Sequence, residues 1–284
     1  MATERIHIVG PQRSGTTLMQ ALFGTCFDID GVTTKEIHLW HRWPAGERIV
    51  MTKRPGDEVL APLVLKLDPN LWFVFMLRDP RDVVVSEHGR EPGKYWSNLR
   101  VWRQAIGVLE RMKGHPRFIV VRYEDLVTDP DSVQRALAAR MAFLRPVIPF
   151  SQYHDHTSQA VAQSGQFNRA MRGIRPVTSE SVGAWRAHLP RVKAQLATHG
   201  DVADALITLG YEKDESWRAM LDTVAPDTQI SVVPDRLSAW RRLQRGADLW
   251  VHLAQYIYGR YVHPRGLFRV KSQDLPASGT ARGP

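Results

Sequence analysis

The 284-residue sequence predicts an α/β fold of three layers, a central parallel sheet flanked by helices, continued by a helical basic C-terminal extension. Three observations predict it. The apolar run Ile6–Val9 passes through a turn with two glycines, Gly10-Pro-Gln-Arg-Ser-Gly15, straight into a helix-period pattern beginning at Thr16. Leu71–Leu77 is an uninterrupted apolar run of strand length, as expected for a strand buried on both faces. Each strand-like run is followed by a helical segment, and such crossovers make parallel neighbours.

The elements follow in chain order. A helix is expected from Thr16 to about Thr25, with Leu18, Ala21 and Leu22 on its apolar side. Thr33–Arg42 is polar and carries Glu36, His38 and His41 shortly after the glycine turn, where a connection above the sheet can aim them at a ligand. Gly46–Pro55 holds a short apolar run that ends on Lys53, and Asp57–Leu67 reads as a helix closed by Asp68-Pro69. After the strand 71–77, Arg78 leaves the sheet at the carboxyl end, the side on which open α/β sheets bind ligands. Pro80 and Asp82 open the next helix, on which Ser86 and Arg90 share a face. A long amphipathic helix is expected over Gly93–Lys113, a strand over Phe118–Leu126 and a helix over Asp129–Met141. Residues 145–172 read as a loop or lid, Thr178 as the cap of a helix through Leu189, and 191–211 as further helix.

The core domain is expected to span 1–215, the basic helical extension 216–272, and a disordered tail 273–284. Between Asp235 and Lys271 eight Lys and Arg face two Asp. Trp240, Leu243, Ala247, Trp250, Ala254, Ile257 and Tyr261 keep alternating spacings of three and four, one side of a helix. That side is read as packing on its own core or on a second subunit in a homodimer, with peripheral membrane contact as the alternative because Trp beside Arg suits a headgroup layer. No nucleic-acid motif accompanies the charge.

Thirty-eight Lys and Arg against 29 Asp and Glu leave a net charge of +9, which favours anionic partners. The single Cys26 excludes an intramolecular disulfide. With the first strand starting within ten residues and no long apolar span, the expectation is a soluble cytoplasmic protein. His38 and His41 lack the further ligands that a metal needs, so no metal is expected.

The turn is an anion cradle, since glycine lets backbone amides approach a ligand and a helix N-terminus carries unpaired N–H groups. Its G-x4-G spacing is that of a Walker A loop, which makes the fold P-loop-like, but Thr16 stands where the Lys belongs and the cation is Arg13. Three classes stay open on the residues alone. One is an enzyme of group transfer; a second is a P-loop kinase or NTPase, with Asp79 as the strand-end Mg²⁺ ligand. The third is a non-catalytic anion- or membrane-binding module.

Arg13-Ser-Gly-Thr-Thr17 resembles the 5′-phosphosulfate loop of sulfotransferases that use 3′-phosphoadenosine 5′-phosphosulfate (PAPS), and Arg78 with Ser86 resembles their 3′-phosphate motif. Val121–Leu126 and Gly183-Ala-Trp-Arg186 also resemble stretches of that family, over about residues 5 to 190 in all. The resemblance implies that Arg13, Ser14, Gly15, Thr16 and Thr17 hold the 5′-phosphate and sulfonate, and that Arg78, Ser86 and Arg90 hold the 3′-phosphate. Tyr123 and Arg175 would line the adenosine side. Lys53 would stabilise charge on the sulfonate, and Glu36, or alternatively His38, would be the catalytic base. PAPS would be the co-substrate, without a metal, and the acceptor a hydroxyl of a carbohydrate, lipid-linked, phenolic or peptide molecule.

Overall fold

The structure, a computed structural model, describes residues 3–33, 35–41, 46–87, 91, 93–157, 173–262 and 270. Five strands form one sheet in the order β2-β3-β1-β4-β5: β1 (Glu4–Val9), β2 (Gly31–Val32), β3 (Ile49–Lys53), β4 (Leu71–Leu77) and β5 (Phe118–Arg122). Every ladder is parallel. The fold is therefore α/β with a central parallel sheet. β1 lies in the middle because Ile6, Ile8 and Val9 are buried whichever way they point. Register with β3 and β4 sets Ile8 opposite Lys53 and Val9 opposite Phe75, so the carboxyl ends of the three strands meet.

One face is covered by α1 (Thr16–Cys26), α5 (Tyr123–Thr128) and α6 (Pro130–Arg140), packed through Leu18, Leu22, Phe23, Leu126 and Leu137. α2 (Ala61–Leu67), α4 (Leu99–Met112) and α11 (Ala239–Ile257) cover the other through Val64, Leu65, Ala105, Val108 and Tyr256. A third cluster, around Trp102, Trp185 and Trp217, joins α3 (Pro80–Val84) to α8 (Leu189–His199) and α9 (Ala203–Thr208). Short helices α7 (Tyr153–His156) and α10 (Ala219–Asp222) complete the set among the described residues.

Several expected boundaries differ. α3 stops at Val84, so Ser86 lies beyond it; Arg90, expected on the same helix face, lies outside the described residues. The β-branched run Val83-Val84-Val85 accounts for the stop, being a weak helix former. α4 begins at Leu99 rather than near Gly93, because Asn98 caps it by accepting from Val101 N (3.2 Å) and because residues 230–233 return to pair with Tyr95. β5 ends at Arg122, and the polar residues after it open α5. No helix runs from Thr178 to Leu189: Gly183 takes φ 74°, with a short 3-10 turn over Ala184–Ala187. Gly200, at φ 83°, separates α8 from α9 where one long helix was expected. The disordered tail expected at 273–284 and part of the expected lid, 158–172, lie outside the described residues.

Candidate active site

The loop between β1 and α1 supplies the first half of the site. Gly10 has φ 134° and Gly15 φ 93°, and a Cβ on Gly15 would sit 2.5 Å from Tyr123 Cδ2. Gly15→Ala therefore combines backbone strain with a clash. It is expected to cost about 1–3 kcal/mol in chemical denaturation and to weaken anion binding as Tyr123 is pushed aside. Ser14 is buried, its Oγ donating to Pro11 O at 2.7 Å, and this holds the loop tight. The N-cap Gly15 offers no side chain to the first amides of α1, so these are left for an anion.

Arg13, itself at φ 73°, donates from Nε to Ser86 Oγ at 2.6 Å. Its carbonyl accepts from Arg78 Nη1 at 2.9 Å, and Arg78 Nη2 donates to Ser181 O at 2.7 Å. The Arg78 guanidinium lies 4.2 Å over the Tyr123 ring, while its Nε is buried with no hydrogen-bond partner among the described residues. Two arginines, a serine and the helix N-terminus thus converge on one cavity of about 330 Å³, whose walls also include Thr16, Thr17 and Arg175. Arg175 is half-exposed, with Glu180 4.0 Å away.

A second group stands on the other side of Thr17. Lys53 ends β3 and is completely buried. Its Nζ donates to Thr17 Oγ1 at 3.1 Å and to Glu36 Oε1 at 2.8 Å. Burial lowers the Lys53 pKa, and the Glu36 carboxylate opposes that fall. A cation, a carboxylate and a hydroxyl at a helix N-terminus can together receive an anionic group and take a proton beside it.

His38 is placed elsewhere. Its Nδ1 lies 3.0 Å from Asp57 Oδ1 and its ring stacks on Trp40 at 3.8 Å. It lines a different cavity of about 340 Å³, with Gln12, Arg54, Asp57, Glu58 and His252. Burial would raise the Asp57 carboxyl, but hydrogen bonds from His38 and His7 outweigh that and hold it well below the usual carboxylate range.

Nothing local in the sequence marks Asp82, Ser181 or Glu58 as supports of the site. Asp82, read as a first-turn acid, accepts from Gly183 N (2.8 Å) and Trp185 N (3.0 Å), fixing the turn whose Ser181 carbonyl holds Arg78. The Gly183-Ala-Trp-Arg stretch was visible, but nothing in it pointed to a partner a hundred residues earlier. Glu58 accepts from Gly56 N (2.8 Å) and Gly10 N (3.4 Å) behind the loop. Burial pushes its carboxyl up to about 7, with those backbone N–H groups opposing. A folded-state value above the unfolded one means that the native protein holds the extra proton and loses stability as pH rises from about 4.5 to about 7. Glu58→Gln should flatten that decline and raise stability at pH 8 by up to about 3 kcal/mol, measured by urea denaturation at pH 5 and pH 8.

Asp79 is already occupied. Its carboxylate caps α3 by accepting from Arg81 N (2.8 Å) and pairs with the Arg81 guanidinium (2.7 Å), which leaves it poorly placed as a Mg²⁺ ligand. Among the described residues no three His, Cys, Asp or Glu side chains gather as a metal site.

The model of the Sulfotransferase family matches residues 29–142. A protein-tyrosine sulfotransferase of Drosophila melanogaster is 26% identical over 295 residues, covering 84% of this chain and 57% of its own length. Protein-tyrosine sulfotransferase 2 of Gallus gallus is 28% identical over 193 residues, covering 62% and 50%. The chain thus spans only half to three-fifths of the length of these relatives. Among solved structures, a mouse sulfotransferase complexed with PAP is similar at TM-score 0.48 and 14% identity, over 79% of this chain and 90% of that one. The expected cytoplasmic placement is contradicted by the similarity to these protein-tyrosine sulfotransferases. No helix among the described residues is long and apolar enough to cross a membrane. The family match over residues 29–142, with these relatives beside it, makes the chain similar to the sulfotransferase family over that stretch.

Proposed function

We propose that the protein transfers a sulfonate group from PAPS to an acceptor hydroxyl. The observation that carries this reading is the pair of groups flanking Thr17: an arginine-lined anion cavity on one side, and the buried Lys53–Glu36 pair on the other. The residues fit a bis-anionic nucleotide. The α1 amides have no side-chain cap, and Arg78 keeps a buried Nε–H without a partner among the described residues.

On this reading Arg13, Ser14, Gly15, Thr16 and Thr17 hold the 5′-phosphosulfate end. Arg78 and Ser86 hold the 3′-phosphate, together with Arg90, while Tyr123 and Arg175 line the nucleoside side. When bound, PAPS supplies an activated sulfonate on a phosphate leaving group. Glu36 takes the proton of the acceptor hydroxyl, a group too weakly acidic to attack unaided at neutral pH. Lys53, Arg13 and the α1 amides stabilise negative charge on the sulfonate oxygens and the departing phosphate, supplying by fixed cations what Mg²⁺ supplies in phosphoryl transfer. The catalytic machinery is assigned to residues 1–215 and a separate role to the basic extension 216–272.

The acceptor is proposed to be a phenolic hydroxyl, tyrosine in a protein or peptide first, because the curated relatives are protein-tyrosine sulfotransferases. Carbohydrate and lipid-linked hydroxyls are the comparators. A panel of tyrosine peptides, simple phenols, sugars and lipid alcohols incubated with PAPS labelled in the sulfonate tests this. Label should appear first in the phenolic acceptors. Label in sugars or lipids alone would reassign the acceptor, and label in none would remove the transferase reading.

A further inference from the structure

The extension poses a question that sulfotransfer does not answer. α11 is anchored by its inner face: Leu253 and Tyr256 are buried. Tyr256 OH donates to Asp68 Oδ2 at 2.7 Å, and the same carboxylate takes Arg5 Nη1 at 2.8 Å and Arg260 Nε at 3.3 Å. The stripe picked out by its three-four spacing is not that inner face. Trp240 (74% exposed), Leu243 (69%), Trp250 (65%) and Ile257 (37%) point outward, with Ala247 and Ala254 between them. The helix is thus apolar on two sides, and no described residue covers its outer side.

We propose that this outer face pairs with the same face of a second copy, as an antiparallel two-helix seam. Four features of the face select that occupant. Positions 240, 243, 247, 250, 254 and 257 repeat every 3.5 residues, the period of a helix–helix seam rather than of a free amphipathic helix. Reversing the stripe on itself sets Trp240 against Ile257, Leu243 against Ala254 and Ala247 against Trp250. The last two of these layers place a large side chain over a small one, the alternation that lets facing rows interdigitate. A parallel pairing would stack Trp on Trp and Ala on Ala, and would crowd Arg236, Arg241 and Arg242 of both copies at one end.

The cations also disfavour a membrane surface. Arg242 Nε donates to Leu237 O (3.2 Å), Arg245 Nη1 to Gln104 Oε1 (3.3 Å) and Arg260 to Asp68, so these side chains bond back to the protein instead of flanking the stripe. The positions beside it are Gln244, Val251 and Tyr258 on one edge and Gly246 and Leu253 on the other. At ~150–250 Å² for a whole large side chain, the exposed fractions of the stripe, with Val251 and Tyr258, amount to roughly 700 Å² per copy, close to the ~800 Å² per partner of a stable interface.

The pairing stands apart from the sulfotransfer reading and is tested on the full chain. Light scattering after size exclusion at micromolar concentration should give twice the 32.3 kDa chain mass. Trp250→Glu should weaken the dimer by about a hundredfold or more, while far-ultraviolet circular dichroism and binding of adenosine bisphosphate stay unchanged. Because Cys26 is buried, introduced thiols report the register. A mixture of Ala247→Cys and Trp250→Cys chains should oxidise to the mixed disulfide in preference to either homodisulfide, and this readout does not depend on Trp250→Glu folding. A monomeric wild type overturns the proposal, whether or not it sediments with phosphatidylserine vesicles. Homodisulfides in preference to the mixed product overturn the antiparallel order.

Discussion

Replacing Arg78 by alanine should weaken binding of 3′,5′-adenosine bisphosphate by about a hundredfold or more while leaving the fold intact. The size of the effect follows from what the side chain does. Its guanidinium stacks 4.2 Å over Tyr123, donates to Arg13 O and Ser181 O, and keeps one buried N–H unspent. A charge-assisted contact to phosphate in such a half-enclosed site is worth ~2–4 kcal/mol, most of it lost when the cation is removed. Arg78→Lys should recover only part of the affinity, because a single ammonium cannot reproduce the planar fork that spans two carbonyls and a ring. Calorimetric titration of the three proteins provides the measurement. Equal affinities would move the 3′-phosphate away from Arg78.

The second large effect is expected at Glu36. Glu36→Gln keeps the shape of the side chain and an acceptor for Lys53 Nζ, so nucleotide affinity should hardly change. Turnover should fall by ~10²-fold or more, the usual contribution of a positioned general base. His38→Asn provides the contrast. His38 is committed to Asp57 and Trp40 and lines the other cavity, so its replacement should leave turnover within a few-fold. Normal turnover in Glu36→Gln with collapse in His38→Asn would reverse the assignment. Turnover with PAPS and the best acceptor of the panel, measured beside nucleotide affinity, separates binding from chemistry.

The parts of the molecule that could be read from the sequence are those whose physics is local. Leu71–Leu77 is apolar at every position and Ile6–Val9 at every position but His7, the pattern of a strand buried on both faces. The loop from Gly10 to Gly15 announces itself by two glycines whose positive φ values no other residue adopts cheaply. Arg78 could be picked out because it follows a buried strand directly. What could not be read depends on contacts between distant segments. Asp82 looks like an ordinary first-turn carboxylate until Gly183 and Trp185, a hundred residues on, turn their amides toward it. The early start predicted for α4 failed because residues 230–233 pair with Tyr95 and hold that stretch extended.

The C-terminal helix teaches the same lesson from the other direction. Its three-four repeat was plain in the sequence, yet the repeat alone does not say which body covers it. The inner face is set instead by Tyr256, whose hydroxyl reaches Asp68, and Asp68 is drawn there by Arg5 of the first strand. A stripe of tryptophan, leucine and alanine is consequently left on the outside.

The central claim is that the loop holds a phosphosulfate by arginine where a Walker loop holds a triphosphate by lysine and magnesium. Parallel calorimetric titrations with 3′,5′-adenosine bisphosphate and with Mg²⁺–ATP test it most directly. The account predicts that the bisphosphate binds at micromolar affinity or tighter, about −8 kcal/mol or better, with no dependence on added Mg²⁺ and no comparable binding of ATP. Tight, Mg²⁺-dependent binding of ATP without binding of the bisphosphate would contradict it.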